Sequence, residues 1–119
     1  MDLKQLIEAA LLENEQANDA LCEYLKDHRD ATRAVVGRTL AGEHVRTVLV
    51  TEQAASRRDA YLDALHRFEE SRRTIRMLVL LWAKQELGIS FRSMGTPLGI
   101  SPQMAVKLGH EGSQRYGLP

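Results

Sequence analysis

The sequence predicts an all-α fold, a helical bundle with one long central helix. The strongest observation is the absence of proline and glycine from residues 52–87, which permits one long helix or two nearly continuous ones. Near the N terminus, apolar residues recur at alternating spacings of four and three, as on one helix face. The chain of 119 residues contains only 5% aromatic residues, and its three prolines all follow residue 96. This length suits one domain with a modest core and is too short for a catalytic domain plus a separate binding domain.

The first helical segment is predicted to span residues 3–28. Its apolar seam has the spacing of a heptad pattern and consists of Leu3, Ile7, Ala10, Asn14, Ala17, Leu21, Tyr24 and His28. Such a seam packs either in the core of the chain or against a second chain. Asn14 on this seam needs a polar partner, which is either its symmetry mate or a group at the edge of an intramolecular interface. Further leucines beside the seam favour a bundle over an isolated two-stranded coil.

The segments that follow are also predicted to be helical. A second helix is expected over residues 30–40 with Gly42 closing it, and a short helix is expected within residues 43–50. Thr51 is suited to cap the long helix that comes next. Residues 75–83 of that helix are apolar on nearly all sides, so they should lie at the centre of the fold. Gly88 is expected to end the helix in a left-handed conformation.

Residues 88–107 have the pattern of two short helices joined by a turn. Small Gly95 would let the helices approach, Gly99 would form the turn, and Ser101 with Pro102 would begin the second helix. Pro97 stands in the last turn of the first helix, which should make that helix short or irregular. The residues expected to face inward are Met94, Leu98, Ile100, Ala105 and Leu108. This is the pattern of a helix-turn-helix, to which the long central helix would lead.

The outward residues of the second helix combine hydrogen-bonding and cationic side chains that suit base edges and phosphates, namely Gln103, Val106, Lys107 and His110. The segment resembles the helix-turn-helix proteins of bacterial, especially actinobacterial, type, in which a long helical N-terminal part precedes the motif. The matching residues are Gly88, Ser90, Gly95, Leu98, Gly99, Ser101, Gln103 and Ala105. The resemblance implies sequence-directed binding of DNA.

Charge is divided unevenly along a chain whose net charge is zero. Residues 1–30 contain eight acidic and three basic residues, whereas residues 71–119 contain seven basic and two acidic ones. A basic face can bind phosphates locally even when a remote segment is acidic. Arg72, Arg73 and Arg76 form either a solvated helix face or part of a DNA contact, and their position just before the motif favours contact.

The sequence contains no pattern typical of an enzyme or a metal protein. Its four histidines are scattered, it has a single cysteine, and it has no glycine-rich nucleotide loop. We therefore expect no catalytic activity and no cofactor. We expect Cys22, which lies beside two leucines, to be a buried thiol. Without an apolar run of membrane-spanning length or a leader, the chain is expected to be cytoplasmic and to have no membrane contact.

These observations predict a transcription regulator that binds double-stranded DNA as a homodimer, because one recognition helix reads few base pairs. Residues 1–70 would form a helical dimerisation region and residues 71–119 a DNA-binding region within one continuous domain. The residues expected to contact DNA are Arg72, Arg73, Arg92, Ser101, Pro102, Gln103, Val106, Lys107 and His110. The alternative is a helical interaction module, adaptor-like or antitoxin-like, whose motif is structural and whose acidic N-terminal helix binds a protein.

Overall fold

The computed structural model describes residues 2–118, which form four α-helices, one 3-10 helix and no strand. The all-α prediction is therefore confirmed. The α-helices are α1 (Leu3–Leu40), α2 (Val45–Thr51), α3 (Ala54–Leu87) and α4 (Pro102–Arg115). The 3-10 helix, Arg92–Met94, lies between α3 and α4.

Helix α1 is continuous, so the expected division into two segments, residues 3–28 and 30–40, is wrong. Neither proline nor glycine interrupts the backbone hydrogen bonds of the helix near Asp30, and a possible capping residue does not by itself end a helix. The predicted end at Gly42 is confirmed, because Gly42 has a φ of +99°. Its N–H bonds to the Thr39 carbonyl at 3.1 Å, and the Glu43 N–H bonds to the Arg38 carbonyl at 3.1 Å. This pair of bonds is a Schellman motif.

The short helix predicted within residues 43–50 is confirmed as α2, but Thr51 does not cap the next helix. Thr51 is the last residue of α2, and its hydroxyl donates to the Thr47 carbonyl at 2.8 Å. The break between α2 and α3 instead falls at Gln53, whose φ is +57°. A non-glycine residue in this region is uncommon and locally costly. Helix α3 is one continuous helix, which is the first of the two possibilities that the sequence permits, and Gly88 follows it with a φ of +67°.

The described residues form two compact units. One, here called the terminal unit, consists of the described residues up to Asn14 and those from Glu70 onward. The other, here called the middle unit, is Glu15–Glu69. The terminal unit contains the main apolar core, whose buried residues are Ala10, Met77, Leu78, Leu80, Leu81, Phe91, Ala105 and Leu108. The central position expected for residues 75–83 is thus confirmed within this unit.

Asn14 finds its polar partner within the chain. Its side-chain Nδ2 donates to the hydroxyl oxygen of Ser71 at 3.0 Å, and Ser71 is buried. The bond joins α1 to α3 inside the terminal unit. The sequence leaves open whether Asn14 pairs with its symmetry mate or within its own chain, and the structure shows pairing within the chain.

Cys22 is exposed, so the expectation of a buried thiol is wrong. Ala17 and Tyr24 lie on the inward seam of α1, and Ala17 is fully buried. Cys22 is one residue beyond Leu21, and successive residues on a helix point in directions about 100° apart. Its leucine neighbours in sequence are consequently not enough to bury it.

Candidate nucleic-acid interface

The segment before α4 is helical only in part. The 3-10 helix Arg92–Met94 is followed by a turn in which the Leu98 N–H bonds to the Met94 carbonyl at 3.1 Å. Pro97 has no N–H to donate and disfavours helical geometry at Thr96, so a regular α-helix does not form here. The short or irregular character expected for this segment is confirmed, and the expected first α-helix of the motif is replaced by this 3-10 helix and turn.

Gly99 forms the turn and Gly95 permits a close approach, as the sequence predicts. Gly99 has a φ of +74°, its N–H bonds to the Thr96 carbonyl at 3.0 Å, and the Ile100 N–H bonds to the Gly95 carbonyl at 3.0 Å. This is again a Schellman motif. At Gly95, an added Cβ would lie only 3.0 Å from the Cα of Pro102. Gly95 is thus a point of close approach between the turn segment and the start of α4.

The start of α4 is fixed by the predicted cap. The hydroxyl oxygen of Ser101 accepts the Met104 N–H at 3.0 Å, and Pro102 is the first helical residue. Proline suits this position because its missing donor would have no partner in the helix and its φ is already helical. Cap and turn together determine where each side chain of α4 lies.

One face of α4 packs on the core of the terminal unit. Ala105 and Leu108 are buried, and Met94, Leu98 and Ile100 pack against the same core. The five residues predicted to face inward therefore do so. Val106 is half-buried and also packs on this core, so only part of its surface faces outward. Pro102 is likewise half-buried.

The opposite face of α4 is open. Gln103, Lys107 and His110 are exposed and follow one another at spacings of four and three, which places them on one side of the helix. Met104 beside them is also exposed. Within residues 2–118, the side chains of Gln103 and Lys107 make no hydrogen bond or ion pair. Their amide and ammonium groups are therefore available to a partner.

Phe91 connects this face to α3. The His110 ring stands edge-on to the Phe91 ring at a centroid distance of 5.7 Å. The Lys84 ammonium lies over the same ring, 4.7 Å from its centroid. Lys84 is exposed, and sequence reasoning missed it as a candidate contact. The only signal for Lys84 in the sequence is its position as a cation in the last turn of a helix. The sequence does not reveal its approach to Phe91, because this approach depends on the turn at Gly88.

Arg73 and Glu111 form an ion pair between α3 and α4. The hydrogen bond between them raises the pKa of Arg73 and lowers the pKa of Glu111 below its ordinary value. Arg115 and Lys107 lower the Glu111 pKa further through their charges. Arg73 is half-buried, so its predicted DNA contact competes with this ion pair.

The remaining predicted contacts are exposed. Arg92 lies in the 3-10 helix directly after Phe91, and Arg72 is exposed on α3 while also interacting with a neighbour in the protein. Ser101 is exposed, although its oxygen is engaged in the cap.

No protein-family model, curated protein or solved structure matches this chain. None of the helices described is both long enough and apolar enough to cross a membrane. In residues 2–118, no group of three or more His, Cys, Asp or Glu residues is arranged to hold a metal ion.

Proposed function

We propose that this chain is a DNA-binding regulator of transcription. In this proposal α4 enters the major groove of double-stranded DNA, and the chain acts as a homodimer. The observation that supports it best is the division of α4 into two faces. Ala105 and Leu108 hold the helix on the core, while Gln103, Lys107 and His110 remain exposed on the other side.

The outward side chains divide into base-reading and phosphate-binding groups. Gln103 lies in the first turn of α4, where a recognition helix reaches base edges, and its amide can pair bidentately with adenine. Lys107 lies one turn later and suits a phosphate, as does Lys84 on the Phe91 ring. His110 is exposed on the same face of α4 and suits a phosphate or a base edge.

Electrostatics favour two copies over one. The chain has no net charge, and the Glu111 carboxylate lies near enough to Lys107 and Arg115 to interact with both. The attraction of one copy to phosphates should therefore be modest. A dimer with two recognition helices spaced by about one helical turn of DNA multiplies both affinity and specificity.

The irregular Arg92–Leu98 segment favours a second candidate, a helical protein-interaction module in which the motif is structural. A helix-turn-helix ordinarily presents two α-helices, and here the first is reduced to a 3-10 helix and a turn. The two candidates differ in their dependence on salt. Phosphate contacts release counterions, so DNA affinity falls steeply as salt rises, whereas an apolar protein interface shows no such loss.

The test is a selection of bound sequences from a pool of random duplexes with the intact chain. The proposal predicts enrichment of a two-fold symmetric sequence whose half-sites lie about 10 base pairs apart, bound with an affinity that falls with salt. The matched comparison is the double variant with Gln103→Ala and Lys107→Ala, which should enrich the symmetric sequence less than the parent does. Enrichment of a single half-site would support DNA binding and contradict the homodimer. No enrichment by the parent at low salt would contradict the proposal.

A further inference from the structure

We propose that an apolar cleft in the middle unit is the surface on which a second copy of this chain docks. The cleft has a volume of about 530 Å³ and lies between α1, α2 and the start of α3. Its walls include Tyr24, Leu25, Val36, Leu49, Arg58 and Tyr61. This docking surface rests on the proposed function in one respect, which is the expectation that two copies act together.

The middle unit leaves many of its large apolar side chains exposed. Its buried apolar residues are Ala17, Ala31 and Val48, two of which have the smallest apolar side chain after glycine. Many of its large apolar side chains are instead exposed, namely Leu25, Val36, Leu40, Val45, Leu49, Val50 and Leu62. The terminal unit also exposes large apolar side chains, but it buries Met77, Leu78, Leu80 and Leu81. Of the exposed side chains of the middle unit, Leu25, Val36 and Leu49 line the cleft together, and a contiguous exposed apolar patch marks an interaction site.

Polar and aromatic contacts tie the walls of the cleft to one another. The Tyr24 hydroxyl donates to the backbone carbonyl of Arg57, and the Tyr24 and Tyr61 rings lie 5.5 Å apart. The Arg57 Nε donates to the Glu52 carbonyl at 2.9 Å. Arg38 binds the Glu52 carboxylate at 3.1 Å and so ties α1 to the end of α2. A surface fixed in this way binds with a smaller entropic cost.

The charges beside the cleft suit a second copy related by two-fold symmetry. Arg58 lines the cleft, and a neighbouring depression bordered by Asp27 and Asp30 shares Ala31, Glu52 and Arg57 with it. In residues 2–118, neither Arg58 nor Asp27 has a side-chain ion pair. In an interface with two-fold symmetry every contact occurs twice, so Arg58 of each copy can approach Asp27 of the other. The middle unit holds ten acidic and eight basic residues, so two copies repel only weakly.

The test uses two leucines with matched exposure. Leu25, 47% exposed, lines the cleft, and Leu62, 46% exposed, lies in the same unit but does not. We expect the parent to sediment as a dimer at tens of micromolar. Leu25→Gln should raise the dimer dissociation constant about tenfold or more, and Leu62→Gln should change it less than about twofold. Val36→Gln, also in the cleft, provides a second variant should Leu25→Gln fold poorly by circular dichroism.

The single cysteine supplies an independent readout. Cys22 is exposed and lies outside the cleft lining, so each protomer takes one dye at a defined place. Mixing donor-labelled and acceptor-labelled protein should give energy transfer that the Leu25 variant loses and the Leu62 variant keeps.

A parent that stays monomeric would overturn the inference, and so would equal effects of the two leucine variants on the dimer dissociation constant. It would also be overturned by a monomer that binds the apolar dye anilinonaphthalene sulfonate in the cleft and loses this binding with Leu25→Gln. The last would assign the cleft to a small apolar ligand. These measurements contain no DNA, so a chain that dimerises through the cleft but binds no duplex would contradict only the proposed function.

Discussion

Gly109 of α4 lies directly against the ring of Phe91, leaving no room for a side chain between them. A Cβ built at Gly109 would overlap the Phe91 ring atoms. Phe91 is itself buried and has Lys84 over its face and His110 at its edge. The position of the exposed face of α4 therefore depends on the absence of a side chain at residue 109.

Alanine at two helical glycines should have opposite effects on stability. Gly109→Ala should lower the free energy of unfolding by about 1–3 kcal/mol, because the rigid Phe91 ring must move to admit the methyl group. Gly37→Ala in α1 should raise it by about 0.5–1 kcal/mol, because nothing lies within 4 Å of the added Cβ and alanine favours helix. Urea denaturation of both variants checks the pair. A stabilising effect of Gly109→Ala would contradict the close contact.

The turn before α4 should depend more on Gly99 than on Ser101. Gly99→Val places a β-branched residue at a φ of +74° and should cost about 1–3 kcal/mol of unfolding free energy. Ser101→Gly removes the cap but keeps a residue that tolerates this position, so it should cost only about a few tenths of a kcal/mol. Thermal melts of the two variants decide this, and equal melting temperatures would count against the turn geometry described here.

The ion pair between Arg73 and Glu111 should make stability fall in acid. The Glu111 pKa in the folded protein is lower than its ordinary value of 4.5 because Arg73 donates a hydrogen bond to it. The unfolded chain therefore binds the proton first, so the stabilising contribution is present above that value and is lost as the pH falls through the folded-state pKa. Glu111→Gln should flatten the fall in unfolding free energy below about pH 4.5.

Arg73→Gln is the matched control, because it removes the same pair from the other side. Urea midpoints across the acid range should show the same flattening for Arg73→Gln, and the double variant should add nothing further. An acid slope like that of the parent in both single variants would show that the pair makes no contribution.

The features that sequence reasoning predicts correctly are those determined by local chemistry. Gly42 and Gly99 adopt positive φ because only glycine does so at little cost, and Ser101 caps α4 because its hydroxyl reaches an amide three residues later. The inward set around Ala105 and Leu108 follows from helical spacing alone. These features need no knowledge of what lies elsewhere in the fold.

The features that sequence reasoning misses depend on contacts between distant parts of the chain. The hydrogen bond of Asn14 to Ser71 and the ion pair of Arg73 with Glu111 join different helices, and periodicity within one helix cannot reveal them. Lys84 meets Phe91 only because the chain turns at Gly88. The apolar cleft is hidden for the same reason, since three separate segments form its walls.

A comparison of Gln103→Ala with Lys107→Ala tests whether the exposed face of α4 binds DNA. Fluorescence anisotropy would measure the affinity of each variant for the selected duplex and for duplexes changed at single positions. The matched control is Gln114→Ala, the same change at an exposed position in the last turn of α4. The control should bind every duplex as the parent does.

We expect each variant to lose a different part of DNA binding. Gln103→Ala should lose about 1–3 kcal/mol of preference at one base pair, whereas Lys107→Ala should weaken every duplex alike and lower the salt slope by about one. Parental affinity, base preference and salt slope in both variants would contradict the assignment of this face to DNA.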